Sequence, residues 1–383
     1  MNKKIIVGLS GGVDSAVSSY LIKEENKNYE VSAIFMQNWD DFIADNKVIK
    51  KKCTQTQDWE DALSVANHLN ISIKKINFVN EYWQEVFVDF LNKLKSGVTP
   101  NPDILCNSVI KFSHFANYVR NELNADYLAT GHYARIIFDK DKDSHYLAKC
   151  KDENKDQTYF LCQIEFSILP YLIFPLSDLE KSEVRKIAES INLPNAKKKD
   201  STGICFIGEN NFANFISGYL EEKEGNIVNI DNFKVVGKHK GVSFFTLGQR
   251  KGLDLGGEKL PSYVVGKDIE KNIVYISNGY ENKWLYSNDC FVKNMNWLVN
   301  DWEINSIVGK EITARFRHRQ KEVSVKIDFS EDKKDSLKVV FSKPMKAITP
   351  GQYAVFYDGM ICLGGGIIFS TDKVDFRCKP NFD

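Results

Sequence analysis

The chain has little that would place it in a membrane or outside the cell. No apolar run in its 383 residues approaches the roughly 20 needed to span a bilayer. Strand-like sequence begins within four residues of the N-terminus, which predicts no signal or transit peptide. Charge of one sign is missing as well. Fifty-one Lys and Arg balance fifty-one Asp and Glu, so a nucleic-acid partner would have to be held by local clusters rather than by a basic surface. Eight cysteines stand singly, at Cys53, Cys106, Cys150, Cys162, Cys205, Cys290, Cys362 and Cys378. Without a Cys-x-x-Cys pair there is no zinc-ribbon or thioredoxin-type motif, and no resident metal ion is expected. A chain this long needs no disulfide staples, so the expected location is the reducing cytoplasm. There is no internal repeat and no low-complexity tract.

What is present is the octapeptide Gly8-Leu9-Ser10-Gly11-Gly12-Val13-Asp14-Ser15, between the apolar run Ile5-Ile6-Val7 and a helical pattern. A strand, a glycine-rich turn and a helix N-terminus together form a phosphate-binding geometry. The segment lacks the Gly-Lys-Ser/Thr ending of a Walker A loop and is not G-x-G-x-x-G. Further on, patterning predicts strands over Lys3–Leu9, Tyr29–Met36, Ser72–Phe78 and Ala125–Thr130. It predicts helices from Val13, from an N-cap at Asp58 to Leu69, over Asn80–Lys95, Asn107–Leu123, Asp156–Ile164 and Lys181–Ile191. Such alternation implies a doubly wound parallel α/β sheet with ligands at the carboxyl ends of its strands. After about residue 225 short β-rich runs dominate. The expected organisation is a catalytic domain over 1–210, a small β-rich domain over 211–280, and a C-terminal β-barrel over 281–383.

Two cysteines stand in unusual contexts. Cys106 closes Thr99-Pro100-Asn101-Pro102-Asp103-Ile104-Leu105-Cys106, just before a predicted helix N-terminus that would stabilise a thiolate. Cys205 lies in Asp200-Ser201-Thr202-Gly203-Ile204-Cys205-Phe206-Ile207-Gly208, after three lysines. The stretch Arg315–Lys321 interleaves cations with Phe316 and His318, which suits phosphate pairing and base stacking. The clusters at Lys50–Lys52, Lys197–Lys199 and Lys234–Lys240 read as solvated surface, and the six other cysteines as structural.

Ser-Gly-Gly-Val-Asp-Ser resembles the pyrophosphate-binding loop of the N-type ATP pyrophosphatases, which cleave ATP between the α and β phosphates and adenylate an oxygen. Nine segments in the same order, running essentially end to end, resemble the tRNA-specific 2-thiouridylases, bacterial enzymes that thiolate the wobble uridine. Besides the three above they include Phe35–Trp39, Ala129–Arg135, Lys155–Leu161, Phe245–Gly252, Thr349–Tyr357 and Cys362–Ile368. Gln37 departs from a usual lysine and Val98 from a usual arginine.

The resemblance implies that Gly8, Leu9, Ser10, Gly11, Gly12, Val13, Asp14 and Ser15 bind ATP with Mg2+, and that Met36 and Gly131 line the nucleotide pocket. It implies that Cys205 carries a persulfide, that Cys106 resolves it to a Cys106–Cys205 disulfide, and that Asp103 acts as general acid or base. Base contacts fall on Asn101, Pro102 and Asp103. Other tRNA contacts fall on Lys155, Asp156, Gln157, Arg317 and His318, with His132 and Gln352 as secondary site residues. The implied partners are tRNAs with a wobble uridine, such as those for lysine, glutamate and glutamine, and a sulfur-relay carrier or cysteine desulfurase. Two other readings fit fewer residues: an amidotransferase-type or argininosuccinate-type synthetase, which needs no paired cysteines, and a nucleotide-gated RNA-binding module without sulfur chemistry.

Overall fold

Ile5, Ile6 and Val7 are apolar on both faces, the pattern of a strand covered from both sides, and none is more than 1% exposed. In the computed structural model, which describes residues 3–40, 55–200, 215–256, 260–329 and 336–372, they form β1 (Lys4–Gly8), the middle of a five-stranded sheet. β2 (Glu30–Gln37) pairs parallel on one side and β4 (Tyr127–Thr130) on the other. β3 (Ser72–Asn77) and β7 (Leu172–Ile173) lie at the edges. The order reverses between β1 and β4, so the turns that follow these two strands open onto one crevice.

The helices depart from the sequence reading in instructive places. α1 (Val13–Glu25) starts as expected. α2 (Gln55–His68) already includes Asp58, so Asp58 lies in its first turn and is not the N-cap. α3 (79–95) contains a stretch of wide π turns over Tyr82–Phe87. α4 (102–122) begins at Pro102, five residues before the expected start, because proline at the first helical position is preorganised for it. Most of α4 is wound with π turns, over Cys106–Phe115 and Tyr118–Glu122. The helix expected over 156–164 shrinks to α5 (Thr158–Leu161), because Asp156 turns inward to meet the Thr158 hydroxyl. α6 (Lys181–Ser190) opens on a capping box between Glu180 and Glu183.

The second half is β-rich. A four-stranded sheet has the order β10 (Ser262–Asp268), β11 (Ile273–Asn278), β8 (Gly225–Asn229), β9 (Val235–His239). After it, β12 (Tyr286–Trp297), β15 (Ser336–Lys346), β14 (Val323–Phe329), β13 (Glu311–Arg315), β16 (Tyr353–Asp358) and β17 (Ile361–Thr371) pair in that order, and β12 pairs again with β17 to close a six-stranded barrel. Val292, Val325, Val339, Phe356 and Ile368 fill its core. The hairpin of β5 (Arg135–Asp139) and β6 (Ser144–Ala148) extends this sheet beyond β17, through Ile361 against Ala148. The barrel is thereby joined to residues that directly follow β4.

Gly364 makes the barrel's seam possible. Its φ is +113°, and a Cβ there would lie 2.0 Å from the Asn296 carbonyl oxygen on β12. Gly364→Ala is therefore expected to cost at least ~2 kcal/mol in urea unfolding. An unchanged midpoint would contradict this closure.

Candidate active site

The N-terminus of α1 is built to receive an anion. Gly12 stands at the cap in extended conformation without a side-chain cap, and the first helical bond runs from Ala16 N–H to Gly12 O. The amides of Val13, Asp14 and Ser15 therefore precede any intrahelical acceptor. The turn is braced from inside. Ser15 Oγ accepts from Ser10 N at 3.1 Å and donates to Gly12 O at 3.0 Å. Leu9, 1% exposed, donates its N–H to Ile34 O at 2.9 Å. Gly8 ends β1, and Met36 is half-buried near the end of β2. Gly11 has φ +78°, and a Cβ on it would lie 2.2 Å from Asp58 O. A Cβ on Gly131, just after β4, would lie 2.8 Å from Ser15 N and 2.9 Å from Asp14 C. Backbone thus packs on backbone at the crevice.

A charge network that the sequence did not disclose surrounds this turn. Lys181, at the start of α6, donates to both Asp14 oxygens at 2.6 and 2.8 Å, and Tyr133 Oη donates to Asp14 at 2.9 Å. Lys181 also pairs with Asp200 at 2.8 Å, joined by Arg185 at 2.6 Å and Lys155 at 2.9 Å. Burial alone would raise the Asp200 carboxyl, but hydrogen bonds from Lys181 and Lys155 outweigh it and hold it at about 2. Asn195 Nδ2 and Lys198 Nζ donate to Gly11 O, and Lys198 pairs with Asp58 and Asp61. Lys198 is thus part of the loop's support, not the solvated surface expected of the Lys197–Lys199 run. The only sequence signal was its position, directly ahead of Asp200 and the Cys205 segment.

Across the crevice, α4 presents Asp103, Asn107 and Lys111 at spacings of four, on one face. Asn107 donates to Asp103 O at 2.9 Å, and its Oδ1 lies 3.1 Å from His132 Nε2. His132 directly follows Gly131. Its ring sits between Phe112 and Phe174, with centroids 5.4 and 6.0 Å away. Burial, helped by the nearby Lys111 charge, pushes its imidazole well below the usual value, so it is neutral at pH 7. Burial raises the Asp103 carboxyl, against an opposing pull from Lys111. Cys106, 4% exposed, lies in the second turn of α4, and its N–H is bonded to the Pro102 and Asp103 carbonyls. The expected thiol at a bare helix N-terminus is corrected accordingly. Cys205 lies outside the described residues, as do Cys53, Cys378 and Lys50–Lys52. Burial raises the Cys150 and Cys362 thiols to about 12 and pushes those of Cys162 and Cys290 up as well, as inert packing cysteines require.

The segment before α4 is held by the barrel. Gln352 Nε2 donates to Thr99 O at 2.7 Å and to Pro100 O at 3.4 Å, while Thr99 N donates to Pro350 O at 3.0 Å. Thr99 Oγ1 meets Thr246 Oγ1 of the four-stranded-sheet region at 3.2 Å. Asn101 and Pro102 follow directly. Val98 is 2% exposed beside Gly351, and the Gln37 carbonyl accepts from Phe78 N.

The expected RNA-contacting residues divide. Arg317 is exposed and its guanidinium donates to Leu247 O, Ala347 O and Thr349 Oγ1. His318 packs against Phe160 with its ring tilted, centroids 4.3 Å apart. Lys155 is committed to Asp200, and Gln157 Oε1 accepts from Tyr133 N. Asp156 is 2% exposed and bonded to Arg315 and Thr158. Phe316 is 2% exposed and packs on Phe341, so it has no face for a base. Arg315 is committed to Asp156 and Glu322. The Arg315–Lys321 stretch, read as one binding surface, is divided: Arg315 and Phe316 are buried, while Arg317, Arg319 and Lys321 are exposed.

Gly131→Ala is expected to push the first turn of α1 out of place and weaken pyrophosphate binding, measured calorimetrically, on the order of tenfold. Unchanged affinity would contradict this close approach.

Three family models tile the chain: a "tRNA methyl transferase HUP domain" over residues 3–209, a "tRNA methyl transferase PRC-barrel domain" over 213–278, and an "Aminomethyltransferase beta-barrel domain" over 287–368. Among curated relatives, the protein named tRNA-specific 2-thiouridylase MnmA of Mesoplasma florum is 48% identical over 96% of this chain and 99% of its own. That of Mycoplasma capricolum is 47% identical over 98% of this chain and 100% of its own, and MnmA 1 of Geobacillus kaustophilus 46% over 97% of each. With family models tiling the chain and relatives 46–48% identical over nearly its whole length, the chain belongs to the tRNA-specific 2-thiouridylase family.

Proposed function

We propose that this chain converts the C2 oxygen of a tRNA wobble uridine to sulfur by adenylating it first. One observation carries the reading. Gly131-His132 packs against the anion-binding turn of α1 and, one residue on, against the α4 face that bears Asp103. A phosphoryl group and a base brought to these two walls would meet.

The α1 turn would hold the ATP phosphates, with Met36 and Gly131 beside the nucleoside. Magnesium would arrive with the phosphates. The Asp14 carboxylate is already taken by Lys181 and Tyr133, and the described residues hold no acidic or histidine cluster suited to a metal. The uridine, taken out of the anticodon stack, would lie against Asn101, Pro102 and Asp103. Its O2 attacks the α-phosphorus, the bond to the β-phosphate breaks, and pyrophosphate leaves. Asp103, its carboxyl raised by burial, accepts the N3 proton. The terminal sulfur of a Cys205 persulfide then attacks C2 and expels AMP. Cys106 attacks the inner sulfur, which leaves 2-thiouridine and a Cys106–Cys205 disulfide for an external reductant. Methyl transfer, which the family-model descriptions name, gives no role to two cysteines in these contexts.

The barrel would position tRNA through Arg317 and His318. Lys155, Asp156 and Gln157 would act through the loop they hold, and Gln352 through Thr99.

Cys205→Ser is expected to release pyrophosphate from ATP when tRNA is present while forming no 2-thiouridine. Absence of pyrophosphate release would mean that sulfur must load first. Because Asp103 must be ionised, turnover falls as pH drops through its raised pKa. The acid limb should therefore lie above the ordinary aspartate range near ~4 and vanish in Asp103→Asn, with turnover reduced ~100-fold or more. A limb at the ordinary value would contradict this assignment.

A further inference from the structure

Lys111 is a half-buried lysine whose ammonium has almost nothing to bind. Its one polar contact among the described residues is His132 Nε2, at 3.4 Å, and no described carboxylate lies within 4.0 Å of it. Even that contact is compromised. Nε2 also faces Asn107 Oδ1 at 3.1 Å, an atom that can only accept, while Asn107 Nδ2 is turned to Asp103 O. If Nε2 carries the proton, it donates to Asn107 and offers Lys111 no lone pair. If it does not, it satisfies one of three ammonium donors and leaves Asn107 Oδ1 without its hydrogen. Three other lysines around the α1 turn each pair with a carboxylate: Lys181 with Asp14 and Asp200, Lys198 with Asp58 and Asp61, Lys155 with Asp200.

Position indicates which anion Lys111 suits. Lys111 shares its α4 face with Asp103 and Asn107 and touches His132, whose neighbour Gly131 packs on Ser15 N at the α1 turn. It therefore lies on the wall that carries the acid and beside the residue that joins this wall to the α1 amides. We propose that Lys111 holds the α-phosphoryl group of the nucleotide, the group passed from pyrophosphate to the uridine oxygen and then released as AMP. This rests on the adenylation reading above. The α-phosphoryl keeps its negative charge while the bond to pyrophosphate breaks, while the bond to O2 forms, and when the C2–O bond breaks. One fixed cation would favour both steps without itself gaining or losing a proton.

The test compares AMP with adenosine, which lacks only the phosphate, by calorimetry on the full chain and on Lys111→Met and Lys111→Arg, with circular dichroism and melting temperature as folding controls. The expected result is AMP affinity at least tenfold weaker in Lys111→Met, largely restored in Lys111→Arg, and adenosine affinity unchanged throughout. Equal AMP affinity in the full chain and in Lys111→Met would overturn the inference and leave the nucleotide reading intact. So would a parallel loss of adenosine, or an arginine variant as weak as the methionine one. A full chain that binds neither AMP nor adenosine would overturn the nucleotide reading and this inference with it.

Discussion

The molecule depends on one close approach, that of the backbone after β4 to the first turn of α1. No side chain fits between Gly131 and Ser15, and this lack of space brings two walls together. One wall is a row of helix amides suited to phosphate. The other is reached through His132 and carries Asp103, Asn107, Lys111 and, one turn into the same helix, Cys106. The parallel sheet supplies the rest. Its order reverses between β1 and β4, so a crevice opens where both turns emerge.

The barrel is coupled to this crevice at two places. The β5–β6 hairpin, which begins four residues after Gly131, is an extension of the barrel sheet. Gln352 and Pro350, on the turn before β16, bond to Thr99 and Pro100 just ahead of Asn101 and Asp103. Force applied to the barrel by a bound partner would therefore reach the acid through direct hydrogen bonds to the Thr99–Pro100 backbone. The buried pair of Asp156 with Arg315 serves the same joint. Breaking a pair of this kind leaves an uncompensated charge, so it holds geometry more than it adds stability.

How much of this was legible in the sequence follows from where the information lies. The α1 turn was readable because its amides, glycines and flanking apolar strand are contiguous. Strands β1 to β4 were readable for the same reason. The start of α4 was misplaced because Pro102 reads as a turn former, though it is equally suited to a first helical turn. Gly364 stood in the sequence only as part of the resembling segment Cys362–Ile368, and the approach of Asn296 explains why a strand carries glycine there. Lys181, Asp200 and Lys198 were missed because what they bind lies far along the chain: Asp14 is 167 residues from Lys181. Burial of Asp156, Arg315 and Phe316 could not be read from a motif whose charge pattern suggests a surface.

The central claim is that the uridine oxygen departs on AMP. A tRNA anticodon carrying 18O at C2 of the wobble uridine, incubated with the protein, ATP, magnesium and a persulfide source, tests it directly by mass spectrometry of the nucleotide and the nucleoside. The account predicts 18O in the AMP phosphate, in equal amount to the 2-thiouridine formed. Thiolated base with unlabelled AMP, or AMP formed while the uridine keeps its label and gains no sulfur, would contradict it.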